Sequence, residues 1–116
     1  MISLVAALLL VSSTANGPPA RVGQCKWVHG RYGIYNGAGV RRIWAIGTHR
    51  IIDLGDLDDV PPPIAKYEAN SADQDDPLFG DFFVCAREPS RPGHMQLVHL
   101  FRAKNLIFRG KPFPPK

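Results

Sequence analysis

The stretch Cys25-Lys26-Trp27-Val28-His29-Gly30-Arg31-Tyr32-Gly33-Ile34-Tyr35 decides how this chain reads. Its first five residues alternate bulky and polar side chains, the period of a strand with one buried face. Gly30 and Gly33 interrupt the run, yet it continues to Tyr35, which predicts a long strand bent or bulged at its glycines. Outward from there, Asn36-Gly37 begins a turn and Gly39 ends it. Residues 40–46, rich in branched and aromatic side chains, predict a second strand. Gly47-Thr48 is a tight turn, and residues 49–54 predict a third strand.

A break follows. Asp53, Asp56, Asp58 and Asp59 line a loop, and Pro61-Pro62-Pro63 come next. Asp59 can cap a short helix with proline in its first turn, running through Ile64, Tyr67 and Glu68. Residues 70–77 form a second acidic loop. Residues 81–88, around Phe82, Phe83, Val84 and Cys85, predict a fourth strand, and residues 95–102 a fifth. Lys104-Asn105 turns the chain into a short sixth strand at 106–109, and residues 111–116 read as a loose, proline-rich tail. Three strands, a helix, then two or three strands is the order of an OB-type barrel. The expected fold is therefore mainly β: a small antiparallel barrel, OB-like with five to six strands and one short helix, or a β-sandwich of the same strands. Residues 24–110 form the single domain.

Residues 16–23 are a flexible lead-in. Before them, residues 2–11 are apolar except for Ser3, and Ser12-Ser13-Thr14-Ala15 follow. This pattern reads as a secretory signal peptide over residues 1–15, with cleavage after Ala15. The run is shorter than the roughly 20 apolar residues of a membrane span. No Lys or Arg precedes it. Val22-Gly23-Gln24-Cys25 superficially resembles a lipoprotein acylation site, but Gln24 is too large for the position before the cysteine. Export makes Cys25 and Cys85, the 2 cysteines, an expected disulfide pair. It also places the protein in the periplasm or outside the cell.

The 116 residues carry 14 Lys+Arg against 10 Asp+Glu, a formal charge of +4, with 11 Gly and 11 Pro. These numbers exclude a multidomain enzyme, a collagen-like repeat and a disulfide-dense mini-protein. The charge is segregated. Residues 21–52 hold six bases and no acid. Residues 53–81 hold nine acids against Lys66, and the remainder is basic again. The basic segments can meet the acidic one inside the fold, or meet an anionic partner such as an envelope component, an acidic glycan or nucleic acid.

His29-Gly30-Arg31, Asn36-Gly37, Arg42-Ile43-Trp44, Ile46-Gly47-Thr48, Phe82-Phe83-Val84-Cys85 and Pro92-Gly93-His94-Met95-Gln96 form a distinctive set over residues 25–100. In these the chain resembles a group of small exported bacterial proteins of unknown function. The resemblance implies export and carries over no activity.

Four histidines raise metal and acid–base chemistry. His94 and His99 are five apart on one predicted strand and so point to opposite faces. His29 and His49 lie on different strands. No H-E-x-x-H, paired C-x-x-C or G-x-S-x-G motif is present. The aspartates from Asp56 and from Asp73 lack the Gly and closing Glu of a calcium loop. No metal and no cofactor are expected. Two histidines meeting a Lys or Arg in one cleft would favour a small secreted hydrolase or nuclease with a histidine base. Scattered histidines would favour a binding module.

Arginines interleaved with aromatics offer a stacking platform for sugars or single strands. Arg31, Tyr32, Tyr35, Arg41, Arg42, Trp44 and Arg50 are the candidate ligand-binding residues. Arg42 and Arg50 fall on separate predicted strands joined at Gly47-Thr48, which would set them side by side. Against this, a core of this size calls on most of Trp27, Trp44, Phe82 and Phe83. The expected function is an exported soluble binding module without catalysis, its ligand an anionic glycan or other anionic polymer. The competing classes are the histidine hydrolase and an envelope-associated structural or inhibitor protein.

Overall fold

The computed structural model describes residues 16–35, 40–55, 60–70 and 76–114. The expected signal peptide, the Asn36-Gly37 turn and the aspartates at 56, 58, 59, 73 and 75 lie outside the described residues. Six strands and a helix follow in chain order: β1 (Cys25–Tyr35), β2 (Val40–Ala45), β3 (Ile51–Asp53), α1 (Pro62–Asn70), β4 (Leu78–Ala86), β5 (Gln96–Phe108) and β6 (Lys111–Pro112).

The long glycine-bearing strand is the hinge of the architecture. β1 pairs antiparallel with β4 over residues 25–32 and with β2 over residues 30–35. Gly30, Arg31 and Tyr32 thus have a strand on each side. The sheet order β3-β2-β1-β4-β5-β6 closes on itself because β3 also pairs with β5. The result is a closed five-stranded barrel with β6 added, in the OB-like order expected. The expectation of a wholly antiparallel barrel needs one correction, since β3 and β5 run parallel. A ring of five strands cannot alternate direction all the way round, so one joint must be parallel.

Alternation sorts the side chains. Val28, Tyr32, Ile43, Ala45, Ile52, Leu78, Phe82, Val84, Val98 and Leu100 point inward and are buried, joined by Leu54, Leu106 and the helical Ile64 and Tyr67. Gly30 faces Gly80 across β1 and β4 on this inner side. A Cβ at Gly30 would come within 2.5 Å of Ile43 Cγ2, and one at Gly80 within 2.5 Å of Leu106 Cδ2. Two large core side chains therefore occupy the space these glycines leave. Of the four large aromatics expected in the core, only Phe82 enters it. Trp27, Trp44 and Phe83 fall on the alternate, outward positions and are half-buried there.

Cys25 and Cys85 form a disulfide, with Cα atoms 4.0 Å apart. They face each other directly across β1 and β4. The Ala86 amide donates to the Gln24 carbonyl on the adjoining rung, which makes 25/85 a narrow, non-hydrogen-bonded rung. Such rungs bring Cα atoms to about 4.5 Å, which accounts for the close approach, although 4.0 Å lies below the usual disulfide range that begins at about 4.4 Å.

Boundaries differ from expectation: β3 spans Ile51–Asp53 rather than 49–54, β4 spans Leu78–Ala86 rather than 81–88, and the C-terminal third differs more. Lys104-Asn105 is not a turn between strands. β5 runs unbroken through it, and Asn105 takes a left-handed conformation with φ 54° beside an irregular register with Asp81. This is a bulge, which Asn tolerates at low cost. The chain after Gly110 is not loose up to residue 114. β6 pairs with β5, the Phe113 amide donates to the Leu106 carbonyl, and the Phe113 ring meets Tyr67 and Phe108 edge-on.

Candidate functional site

The seven arginines and aromatics singled out from the sequence do not form one site. Tyr32 is fully buried. Its hydroxyl donates to Glu68 Oε2, and its ring packs against Tyr67 and Phe82. Burial, reinforced by the Glu68 carboxylate, pushes the Tyr32 phenol well above its ordinary range. Arg41 binds the same carboxylate in a fork, Nε to Oε2 at 2.7 Å and Nη2 to Oε1 at 3.0 Å. These two residues close the end of the barrel beneath α1 and are not presented to a ligand. Glu68 was readable only as a helix residue, since nothing in its local sequence marks it as the partner of two distant strands.

Arg42 and Arg50 are not side by side. The Ala45 amide donates to the Arg50 carbonyl and closes the turn there. Arg42 consequently registers with Asp53, an opposite-charge cross-strand pair drawn from the acidic segment. Arg50 lies before β3, where its Nη2 donates to Ser90 Oγ. The Tyr35 side chain lies outside the described residues.

Arg31 and Trp44 have a different setting. On the outer face, Ile51, Trp44, Arg31, Phe79 and Ile107 are successive register partners across β3, β2, β1, β4 and β5. Strand spacing puts neighbours in this row roughly 5 Å apart. Ile51, Phe79 and Ile107 are 44%, 36% and 37% exposed, and Arg31 and Trp44 are half-buried. Arg31 has no ion-pair partner among the described residues. The Trp44 indole N–H donates to the Thr48 carbonyl at 2.8 Å, which anchors the ring over the turn. A guanidinium with no ion-pair partner among the described residues thus stands in the middle of a partly exposed apolar row. Phe79 and Ile107 were missed from the sequence because only the register brings them into line.

The other outward polar groups differ in their settings, and Arg102, which registers with Phe83, likewise has no ion-pair partner among the described residues. His29 Nδ1 and Asn105 Nδ2 contact the two oxygens of Asp81 at 2.9 and 2.8 Å. Partial burial opposes the charge of Asp81, but these hydrogen bonds outweigh it and hold the carboxyl below its ordinary range. Lys104 Nζ sits 4.2 Å over the Trp27 ring, and Arg109 bonds Asp76.

Where the row reaches Ile51 it meets a cleft of about 270 Å³ lined by His49, Arg50, Ile51, Gly93, His94 and Met95. The cleft lies between the turn before β3 and the 87–95 loop. The loop is firmly held. Gln96, fully buried, donates through Nε2 to the carbonyls of Pro19 and Glu88, both at 2.8 Å. Ser90 donates its amide to the Ala20 carbonyl. Glu88 accepts from the Leu97 amide and from His94 Nε2 at 3.0 Å. The His94 bond, then the Leu97 amide, hold the Glu88 carboxyl below its ordinary range. His94 therefore belongs to a loop and not to the fifth strand, while His99 lies on β5 against Phe101, ring centroids 4.2 Å apart. Two histidines and an arginine line one cleft, and the other two histidines lie elsewhere.

No protein-family model, curated protein or solved structure matches this chain. No helix among the described residues is long and apolar enough to cross a membrane. Among the same residues, no three His, Cys, Asp or Glu side chains gather as a metal ion would need.

Proposed function

We propose that the protein is an exported binding module that holds an acidic glycan along the outer row from Ile51 to Ile107. The observation that carries this is the placement of Arg31, with no carboxylate partner among the described residues, between Trp44 and Phe79. A sugar ring offers an apolar face to the aromatic and aliphatic groups, and its carboxylate or sulfate meets the guanidinium between them. Aliphatic residues at both ends of the row suit sugar rings better than bases, which favour unbroken aromatic stacking. The disulfide is the feature that supports a site of action outside the cytoplasm.

The test is a binding titration of the oxidised protein with polygalacturonate at low ionic strength, with neutral dextran and a single-stranded oligonucleotide beside it. Binding is expected to the acidic glycan alone, to weaken as salt rises, and to fall about tenfold in Arg31→Ala, the loss of one charge-assisted contact. No binding at low ionic strength, or equal binding to dextran, overturns the reading. Tighter binding to the oligonucleotide replaces its ligand.

The cleft favours a second reading, the secreted hydrolase, because His49, Arg50 and His94 meet there and Glu88 orients one imidazole. Polymer shortening that disappears in His94→Ala would establish it in place of simple binding.

A further inference from the structure

We propose that the cleft between the 46–50 turn and the 87–95 loop is a seat for a tetrahedral oxyanion, the phosphate or sulfate group of an ester, and that it fills as the pH falls through the histidine range. The cleft shares only Ile51 with the row and stands on its own observations.

The first observation is convergence of donors. His49 and Arg50 come from one wall, and His94 from the other. A planar carboxylate offers two oxygens in one plane, whereas a phosphate or sulfate ester offers three that point in different directions. Donors from two walls fit the second shape. Arg50 is positioned for this by its bond to Ser90 Oγ, which ties the guanidinium to the opposite loop. A guanidinium has five N–H groups, so donors remain after that bond. Ile51 and Met95, both exposed, give the cleft apolar walls, which suits an ester carrying an organic body better than a bare ion.

The second observation is the Glu88–His94 pair. The carboxylate accepts from Nε2, so the proton of a neutral His94 ring stays on Nε2 and the remaining nitrogen, Nδ1, carries a lone pair. A lone pair repels an oxyanion. Once the ring is protonated, Nδ1 bears an N–H and becomes a donor, while Glu88 still balances the charge at Nε2. Protonation of His94 thus turns its free nitrogen from a lone pair into an N–H donor, with no movement of the loop. The charged groups around the cleft are His49 and Arg50 on the turn, Arg87, Glu88, Arg91 and His94 on the loop, and Arg21 on the lead-in held by Ser90. Glu88 is the single acid among them, and it is already engaged. The surplus of positive charge at low pH is therefore available to a ligand.

The experiment is a titration of the intact oxidised protein with sodium sulfate at constant ionic strength, following the imidazole signals of His49 and His94 by NMR at pH 8 and pH 5.5. Sulfate keeps its charge over this range, so any change in affinity belongs to the protein. Saturable shifts of both rings are expected, with affinity about tenfold higher at pH 5.5, the effect of roughly 1.4 kcal/mol from the added charge and donor. Arg50→Gln should abolish saturation. His49→Ala, which removes an exposed side chain and leaves the fold intact, should weaken binding several-fold. Inorganic phosphate and a phenyl phosphate ester form the second arm. Tighter binding of the ester is expected from Ile51 and Met95, and equal binding would reduce the seat to one for the free ion. Shifts that do not saturate, that are equal at both pH values, or that persist in Arg50→Gln overturn the proposal. Polygalacturonate carries no tetrahedral anion, so failure of the glycan reading leaves this result untouched.

Discussion

The two ends of the barrel use the same kinds of side chain for opposite purposes. Beneath α1, a phenol, a guanidinium and a carboxylate meet: Tyr32, Arg41 and Glu68. At the other end, imidazoles, a guanidinium and a carboxylate meet around the cleft: His49, His94, Arg50 and Glu88. The first set is largely covered and its members are engaged with one another. The second set faces an opening, with ring nitrogens and guanidinium donors still available. Composition does not separate a structural cluster from a candidate site. What separates them is whether the polar groups complete one another or remain open to solvent.

Removing the covalent tie next to the open end should have the largest effect on stability. Cys85 lies just before the 87–95 loop, and its bridge to Cys25 closes 60 residues of chain. The chain-entropy model gives about 4 kcal/mol for such a loop. The double substitution Cys25→Ser, Cys85→Ser should lower stability by up to that amount in urea titrations. It should also blur the cleft while leaving the helix-covered end intact. An unchanged urea midpoint would contradict a stabilising bridge.

Glu68→Ala tests the closed end. It removes the carboxylate that Tyr32 and Arg41 share, and loss of one partner from a largely buried pair costs up to about 3 kcal/mol. Glu68→Gln, which still accepts one hydrogen bond, should recover part of that loss. A cost below about 1 kcal/mol would class the cluster with ordinary surface ion pairs and remove the contrast between the two ends.

Glu88→Gln should have the smallest effect and is read through pH. A carboxyl held below its ordinary value contributes stability above the unfolded pKa, about 4.3 for Glu, and loses it as pH falls through the folded value. The wild-type melting temperature should therefore fall on acidification below about pH 4. Glu88→Gln should flatten that acid limb slightly and leave the neutral region nearly unchanged. A large loss at neutral pH would show that the open end is as structurally committed as the closed one.

The β texture was legible because alternation is local. Residues 25–35 show it, and β1 occupies those residues. The disulfide followed from a cysteine count and a compartment argument. The order of three strands, helix and further strands admitted a barrel or a β-sandwich, and the pairing of β3 with β5 decided for the barrel. Asn105 was read as a turn because Asn serves both turns and bulges. Only the pairing of β4 with β5 on both sides of it distinguishes the two.

The candidate site was legible only in its parts. The sequence by itself determined which residues alternate and that basic and acidic segments are separate along the chain, and it left open whether those segments face each other. It could not determine register. Register is a relation between strands far apart in the chain, and a shift of one residue reverses every side chain. That relation buried Tyr32, set Arg42 against Asp53 and aligned Arg31 with Trp44 and Phe79. The cleft depended on tertiary structure most of all. His49 and His94 are brought together because β3 and β5 run parallel at the closing joint, so the segments that precede them emerge at the same end of the barrel. No local preference encodes that joint, which is imposed by closing an odd number of strands into a ring.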